Sequence, residues 1–231
     1  SVISGIEPIP AIAEEIIVKR DMTIAKYVNT PIHLTHISTK GSVESIGEMK
    51  KKYDLITCDT CPHYFTLTDR ATLSFDTNTK VNPPLRSKED VKAIKEGLRE
   101  EIIDIIATDH APHDLTSKDV EFDIASSGIS GLETALGLSM ALVHEGVLSM
   151  SMLIKKFTEN PAKLLNLPYG GLAHGDAADI IVFDPDYEWT VDKNNFVSKG
   201  KNTPFNGWRL KGKNLLTIVD GKMAYKDARF K

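Results

Sequence analysis

Apolar and polar positions follow one another along this chain in a recurring order: a short apolar run, a polar loop, then a longer stretch with apolar residues every three or four positions. Residues 12–27 carry Ile12, Ile16, Ile17, Ile24 and Ala25 among charges, a spacing close to helical. Residues 31–36 predict a strand in which Ile32 and Leu34 alternate with His33 and Thr35. A helix is expected over 38–53 and a strand over 56–60, ending at Cys61-Pro62-His63. Residues 87–100 predict another helix, with Ser87 as N-cap and Asp90 three positions on, a near-match to the capping box. The run 102–107 is almost wholly apolar, which suits a parallel strand covered on both faces. Further helices are expected over 131–145 and 150–157.

Alternation of this kind argues for an α/β architecture with parallel strands. A doubly wound sheet and a (β/α) barrel both fit the pattern. The polar candidates His36, His63 and Asp109 stand at or just after strand ends, where barrels build sites from several strands at once. The texture changes after about Leu165. Gly170-Gly171, Gly175, Gly207, Gly212 and Gly221 punctuate short β-rich pieces such as 180–183 and 215–219. The expected organisation is therefore residues 1–165 as βα units and residues 166–231 as a small β-rich region. No internal repeat is visible.

Composition narrows the function classes. The net charge of -4 makes no electrostatic case for nucleic acid or membrane, and clusters such as Lys50-Lys51-Lys52 read as solvated helix ends. No apolar run reaches the ~18 residues of a membrane span. Cys58 and Cys61 form a C-x-x-C, but no second pair exists to complete a structural zinc site, so both are read as packing residues. Reduced thiols fit a cytoplasmic enzyme. The chain opens Ser1-Val2-Ile3, without an initiator Met or a basic signal segment, as a piece of a longer molecule would.

The strongest chemical cluster is Thr108-Asp109-His110-Ala111-Pro112-His113, directly after an apolar strand. A carboxylate there can bind a metal or shuttle a proton, and the two imidazoles add ligands or donors. A capped loop with two exposed imidazoles fits the local sequence equally well. Of His33 and His36, three apart, only one can face inward from a regular strand, and His36 is nearer the loop. Asn82-Pro83-Pro84-Leu85-Arg86 is a stiff loop that can present the Asn82 amide in one geometry. Ser126-Ser127-Gly128-Ile129-Ser130-Gly131 fits either an anion-binding turn or a plain helix entry. With no G-x-S-x-G elbow, the best chemical reading is a metal-assisted hydrolase with Asp and His ligands around an open position.

These motifs together carry a resemblance. Thr-Asp-His-Ala-Pro-His at 108–113, His-Ile-Ser-Thr-Lys-Gly at 36–41, Val-Asn-Pro-Pro-Leu-Arg at 81–86 and Gly-Leu-Glu-Thr-Ala at 131–135 resemble the amidohydrolase superfamily and, within it, the dihydroorotases. Asn160-Pro161-Ala162, the Gly171…Gly175…Ala178-Asp179-Ile180 pattern and the stretch 198–208 extend it in the right order over nearly the whole chain. The resemblance implies the C-terminal part of a (β/α)8 TIM-type metal-dependent hydrolase barrel followed by a small β-sandwich region. It implies His36 as a zinc ligand and Asp109 as a zinc ligand that also serves as general base and acid. Asn82 and His113 are implied as substrate-binding, with Ser127 and Gly128 touching substrate through their backbone. The family usually has Phe-Gly or Pro-Gly there, so Ser127 departs from the pattern. His63 matches a Pro-His element whose role is left unassigned.

The implied activity is reversible hydrolysis of the cyclic amide of dihydroorotate to N-carbamoyl-aspartate, in pyrimidine (UMP) synthesis. One or two Zn2+ ions are expected per complete site, lowering the pKa of a water towards ~7. The family's His-x-His-x-Arg element, its bridging acid or carboxylated lysine and a further His are not in these 231 residues, and a whole barrel takes about 250. The expectation is that the 231 residues alone bind zinc weakly and do not turn over dihydroorotate. A partial barrel leaves sheet edges and apolar faces, so self-association or pairing with an N-terminal half is expected. Two rivals stand: an allantoinase or dihydropyrimidinase, towards which Cys61-Pro62-His63-Tyr64 leans, and a non-catalytic dihydroorotase-like subunit scaffolding a partner such as aspartate transcarbamoylase.

Overall fold

A computed structural model describes residues 5–167, 172–228 and 230. Ser1, Val2, Ile3, Gly170 and Gly171, for which the sequence carried expectations, lie outside the described residues. Contacts divide the chain into two compact units: residues 1–133 with 192–206, and residues 134–191 with 207–231.

The first unit holds α1 (Ala11–Val28), β1 (Ile32–Leu34), α2 (Lys40–Lys50), β2 (Ile56–Thr60), α3 (Pro62–Thr66), α4 (Lys88–Arg99) and β3 (Ile105–Ile106). The strands form one parallel sheet in the order β1-β2-β3. Its register pairs Ile32 with Ile56 and Leu34 with Cys58, then Asp59 with Ile105 and Thr60 with Ile106. Parallel pairing brings all three C-terminal strand ends to one edge.

Local chemistry sets the element ends. Glu14 of α1 takes the backbone N–H groups of Ser38 and Thr39 and both their hydroxyls. Those two residues thus serve as an entry, and α2 starts at Lys40 rather than Ser38, with Thr39 as its N-cap. Ser87 and Asp90 form a full capping box at α4. The apolar run at 102–107 forms regular strand only over Ile105–Ile106. Its flanks still bond to β2, because Asp104 N–H donates to the Cys58 carbonyl and Ala107 N–H to that of Thr60. Lys50 reaches the Asp104 carboxylate at 2.6 and 2.8 Å, which ties α2 to this segment.

Met22, Ile46, Ile56, Ile94, Leu98 and Ile103 form the centre of this unit's core. On the other side of α1, Ile12, Ile16, Ile17, Ile24 and Tyr27 are exposed, Tyr27 at 89%. A single buried stripe thus accounts for only part of the apolar pattern that predicted this helix.

The second unit contains most of α5 (Leu132–His144), then α6 (Met150–Phe157), α7 (Glu159–Leu164), β4 (Ile180–Thr190), β5 (Arg209–Val219) and β6 (Lys222–Lys226). β4, β5 and β6 make an antiparallel sheet in chain order, with register shifts between Val182 and Phe183 and between Asp184 and Glu188. The strands run longer than the expected pieces at 180–183 and 215–219, since those bulges let one strand continue through Pro185. No helix among the described residues is long and apolar enough to cross a membrane.

Ser87→Ala removes the cap of α4 and is expected to lower unfolding stability by about 1 kcal/mol in a urea titration. An unchanged midpoint would mean that the capping box contributes nothing.

Candidate active site

Three loops leave the same edge of the parallel sheet. His36 follows β1, Cys61 and His63 follow β2, and Asp109 follows β3. One buried residue, Asp59 on β2, organises the first of these loops. Its Oδ1 accepts the His36 backbone N–H at 2.7 Å, and its Oδ2 accepts from His33 Nε2 at 2.9 Å. The acceptor-only carboxylate places a proton on His33 Nε2, and His33 Nδ1 is hydrogen-bonded to the Thr57 hydroxyl at 2.8 Å. The Asp59 carbonyl takes the Ile37 N–H, and Thr60 Oγ1 donates to the Ile37 carbonyl. His36 is thereby pinned in a left-handed backbone conformation, φ 58°. Asp109 is left-handed too, at φ 44°. Asp and His are among the non-glycine residues that enter this region most readily.

The side chains of His36 and Asp109 approach each other. His36 Nε2 lies 4.0 Å from Asp109 Oδ1, and His63 Nε2 lies 3.9 Å from Asp109 Oδ2. Cys61 joins them: one donor atom each from His36, Cys61 and Asp109 lie within 4.8 Å of one another. His36 and Asp109 are partly open to solvent, whereas His63 and Cys61 are buried. His63 Nε2 has no hydrogen-bond partner. Burial, reinforced by the nearby His36, pushes the His63 imidazole down to about 3, so it is neutral at pH 7 and offers a lone pair or an N–H. Burial, with Asp59 and Asp109 nearby, holds the Cys61 thiol well above its ordinary range. Nitrogen, oxygen and sulfur donors converging on one point, with a buried imidazole atom left unpaired, are the chemistry that a divalent transition metal satisfies.

A second cluster follows on the 110–131 loops. His113 Nε2 donates to the Ser127 carbonyl at 2.9 Å, and the Gly128 N–H donates to the Lys80 carbonyl. Gly128 sits at φ 143°, and a Cβ there would meet Ala111 Cβ at 2.5 Å and His113 Nε2 at 3.0 Å, so only glycine fits. The buried Asn202 spans both loops. Its Oδ1 accepts the His113 N–H at 2.8 Å with the Ser130 hydroxyl also 2.8 Å away, and its Nδ2 donates to the carbonyls of Ala111 and Gly128 at 2.9 and 3.0 Å. Lys118, buried and lowered by that burial to about 8, donates to the carbonyls of Thr77 and Ser126. Asn82 lines two clefts. One, of about 570 Å3, it shares with His36; the other, of about 1120 Å3, it shares with Ser127.

The structure therefore brings His36 together with Asp109, and His113 with Ser127 and Gly128, while Asn82 lines the clefts adjoining both. His110 points elsewhere: its Nδ1 accepts the N–H groups of Gly131 and Leu132. Both cysteines are buried, as a packing role requires; Cys58 donates to the Ile102 carbonyl, and the Cys61 sulfur also lies near the His36 and Asp109 donor atoms. Asp59 and Asn202 carried no sequence expectation. The one signal for Asp59 was an acidic residue inside an otherwise buried strand pattern; Asn202 lies in the stretch 198–208 that carried the resemblance, but nothing there assigned it a role.

Residues 16–224 match the amidohydrolase family. The chain is 52% identical over 223 residues to a dihydroorotase of Syntrophus aciditrophicus (96% of this chain, 52% of that one). It is 50% identical over 222 residues to one of Geobacter metallireducens, again 96% and 52%. Among solved structures, an L-hydantoinase (dihydropyrimidinase) from Arthrobacter aurescens is similar at a TM-score of 0.88 with 29% identity, covering 94% of this chain and 49% of that one. The chain thus spans about half the length of the curated relatives it matches. The parallel βα arrangement is that of a TIM-type α/β hydrolase.

Asn202→Leu orphans two carbonyls and an N–H, each worth about 1–3 kcal/mol when buried and unpaired. A loss of at least ~2 kcal/mol is expected in denaturant unfolding; a change under ~0.5 kcal/mol would show that this amide does not hold the loops.

Proposed function

Because the chain belongs to the amidohydrolase family, we propose that it acts as a dihydroorotase, opening the cyclic amide of dihydroorotate to N-carbamoyl-aspartate and closing it in reverse, in pyrimidine synthesis. The observation that carries this reading is the meeting of His36 and Asp109, 4.0 Å apart, on loops that leave two strands of one parallel sheet. The roughly 50% identity to dihydroorotases supports this substrate over other cyclic amides.

In this reading His36 and Asp109 hold zinc. The ion supplies Lewis acidity towards the ring carbonyl and acidifies the attacking water. Asp109 then does the proton work: one carboxylate oxygen accepts a proton from the water and returns it to the departing ring nitrogen. A carboxylate suits both steps because it is acceptor-only when ionised and a donor once protonated. Asn82, His113 and the backbone of Ser127 and Gly128 are the substrate-binding groups in this reading, with substrate displacing the His113-to-Ser127 hydrogen bond that joins two of them. Ser127 contributes through its main chain, so the absence of Phe or Pro there is tolerable. Arg86 is not the carboxylate partner: it is buried, committed to Ser38 and the Ile9 carbonyl, and 3.6 Å from Glu14.

Residues 1–165 are read as later βα units of the barrel and 166–231 as its β-sandwich region. The exposed apolar residues of α1 and the single neighbour of β1 support association with a further barrel half or a second copy. Two free buried cysteines fit a cytoplasmic setting.

Assayed as the product of the complete coding sequence, the enzyme is expected to open dihydroorotate in preference to allantoin and dihydrouracil. Asp109→Asn is expected to cost roughly 10²–10⁴-fold in kcat, the usual share of a general acid–base. Preferential opening of dihydrouracil or allantoin, or an unimpaired Asp109→Asn enzyme, would overturn the proposal.

A further inference from the structure

We propose that Lys118 is a positioning residue for substrate binding: it clamps the segment leading to Asn82 onto the loop of Ser127 and Gly128, and so sets the spacing of those groups across the cleft they line. The proposal rests on the reading of Asn82, Ser127 and Gly128 as substrate-binding residues and adds the group that holds them in place.

The chain leaves the His113 loop at Asp114 and returns at Ser126, immediately before Ser127. Asp114 Oδ1 accepts the Thr116 and Ser117 hydroxyls and the Ser117 N–H, and the Ser117 carbonyl takes the Ser126 N–H at 3.0 Å, so the base of this excursion is closed. Lys118 stands at that base, 6% exposed. Its ammonium donates to the Ser126 carbonyl at 2.7 Å and to the Thr77 carbonyl at 2.8 Å. The Thr77 hydroxyl donates back to the Lys118 carbonyl at 2.5 Å. Two further bonds run beside these: the Gly128 N–H to the Lys80 carbonyl at 2.9 Å, and the Lys80 ammonium to the Asp123 carbonyl at 2.6 Å. Residues 77–80 are thereby laced to residues 118–128, and Asn82 follows Lys80 by two positions. Asn82, Ser127, Lys80 and Asp123 line the same cleft of about 1120 Å3.

The residue type matters. Taking an ammonium out of water is costly unless its donors are used, and here they go to main-chain carbonyls on two separate segments. An apolar side chain would fill the same volume without that cost. Lys118 therefore bridges two backbones, and both lead directly into substrate-binding groups. The His36 turn is held separately, by Asp59. Loss of Lys118 then loosens the substrate contacts and leaves the chemical step nearly intact.

The test uses the product of the complete coding sequence, with dihydroorotate as substrate. Lys118→Met, similar in length but without donors, is expected to raise KM about tenfold or more while kcat stays within about threefold, the pattern of lost ground-state binding. Lys118→Arg, which keeps the charge and can donate to both carbonyls, is expected to recover most of that loss. A lysine that only stabilised the fold would behave otherwise: its loss would lower the active fraction, so kcat would fall and KM would hold, and that result would overturn the proposal. If Lys118→Met does not fold, Thr77→Val carries the test, because it removes a single hydroxyl. A KM about threefold higher at unchanged kcat supports the clamp, and an unchanged KM overturns it. Asn82→Ala separates the clamp from the reading beneath it. A raised KM in Asn82→Ala with none in Lys118→Met would overturn the clamp alone. A KM indifferent to Asn82→Ala would overturn the assignment of Asn82 and the clamp with it.

Discussion

The first unit depends on the Asp59 carboxylate. Buried on the middle strand of a parallel sheet, it spends both oxygens on the neighbouring strand: one on the His33 ring, the other on the His36 backbone. Parallel pairing alone brings three strand ends to one edge. It does not say which way the residue after a strand end turns. The Asp59 latch does, by holding His36 in a left-handed conformation that an unsupported chain would leave. The cluster with Asp109 follows from that turn.

A similar division of labour recurs at the second cluster. His113 and Gly128 sit on separate loops, and neither is fixed by its own loop. Asn202, about seventy residues further on than Gly128, uses every hydrogen-bonding capacity of its amide to tie the two together. Gly200 packs beside it so closely that a Cβ would meet Pro112 Cβ at 2.6 Å. This explains why 192–206 groups with the first unit although the chain around it belongs to the second. Site geometry in both clusters is set by buried polar groups one layer behind the residues that face the clefts.

Periodicity located the longer helices: α6 has the expected bounds, α1, α4 and α5 differ by a residue at each end, and α2 is shorter than expected, while the short α3 and α7 had no expectation in the sequence. Strand ends were less legible. The run 102–107 reads as one strand, yet regular pairing covers two residues, because Asp104 and Lys50 pull the flank into side-chain bonding. Asp109 and His36 were legible because motifs of a known family mark them. Asp59 and Asn202 were not, since a polar residue that acts by hydrogen-bonding distant backbone leaves no local pattern. Cys61 is buried, as its packing reading requires, but its nearness to His36 and Asp109 was not legible, because its spacing from Cys58 says nothing about residues that reach it only through the sheet register. The exposed apolar face of α1 also limits pattern reading, because periodicity reports an amphipathic helix without saying how much of the stripe its own chain covers.

The central claim is that loops from separate strands of one parallel sheet converge His36 and Asp109 on a metal. Anomalous diffraction at the zinc edge from crystals of the zinc-loaded protein tests this most directly. The account predicts a peak within bonding distance of both His36 Nε2 and an Asp109 carboxylate oxygen. A zinc peak bonded to neither residue, or none at full loading, would contradict it.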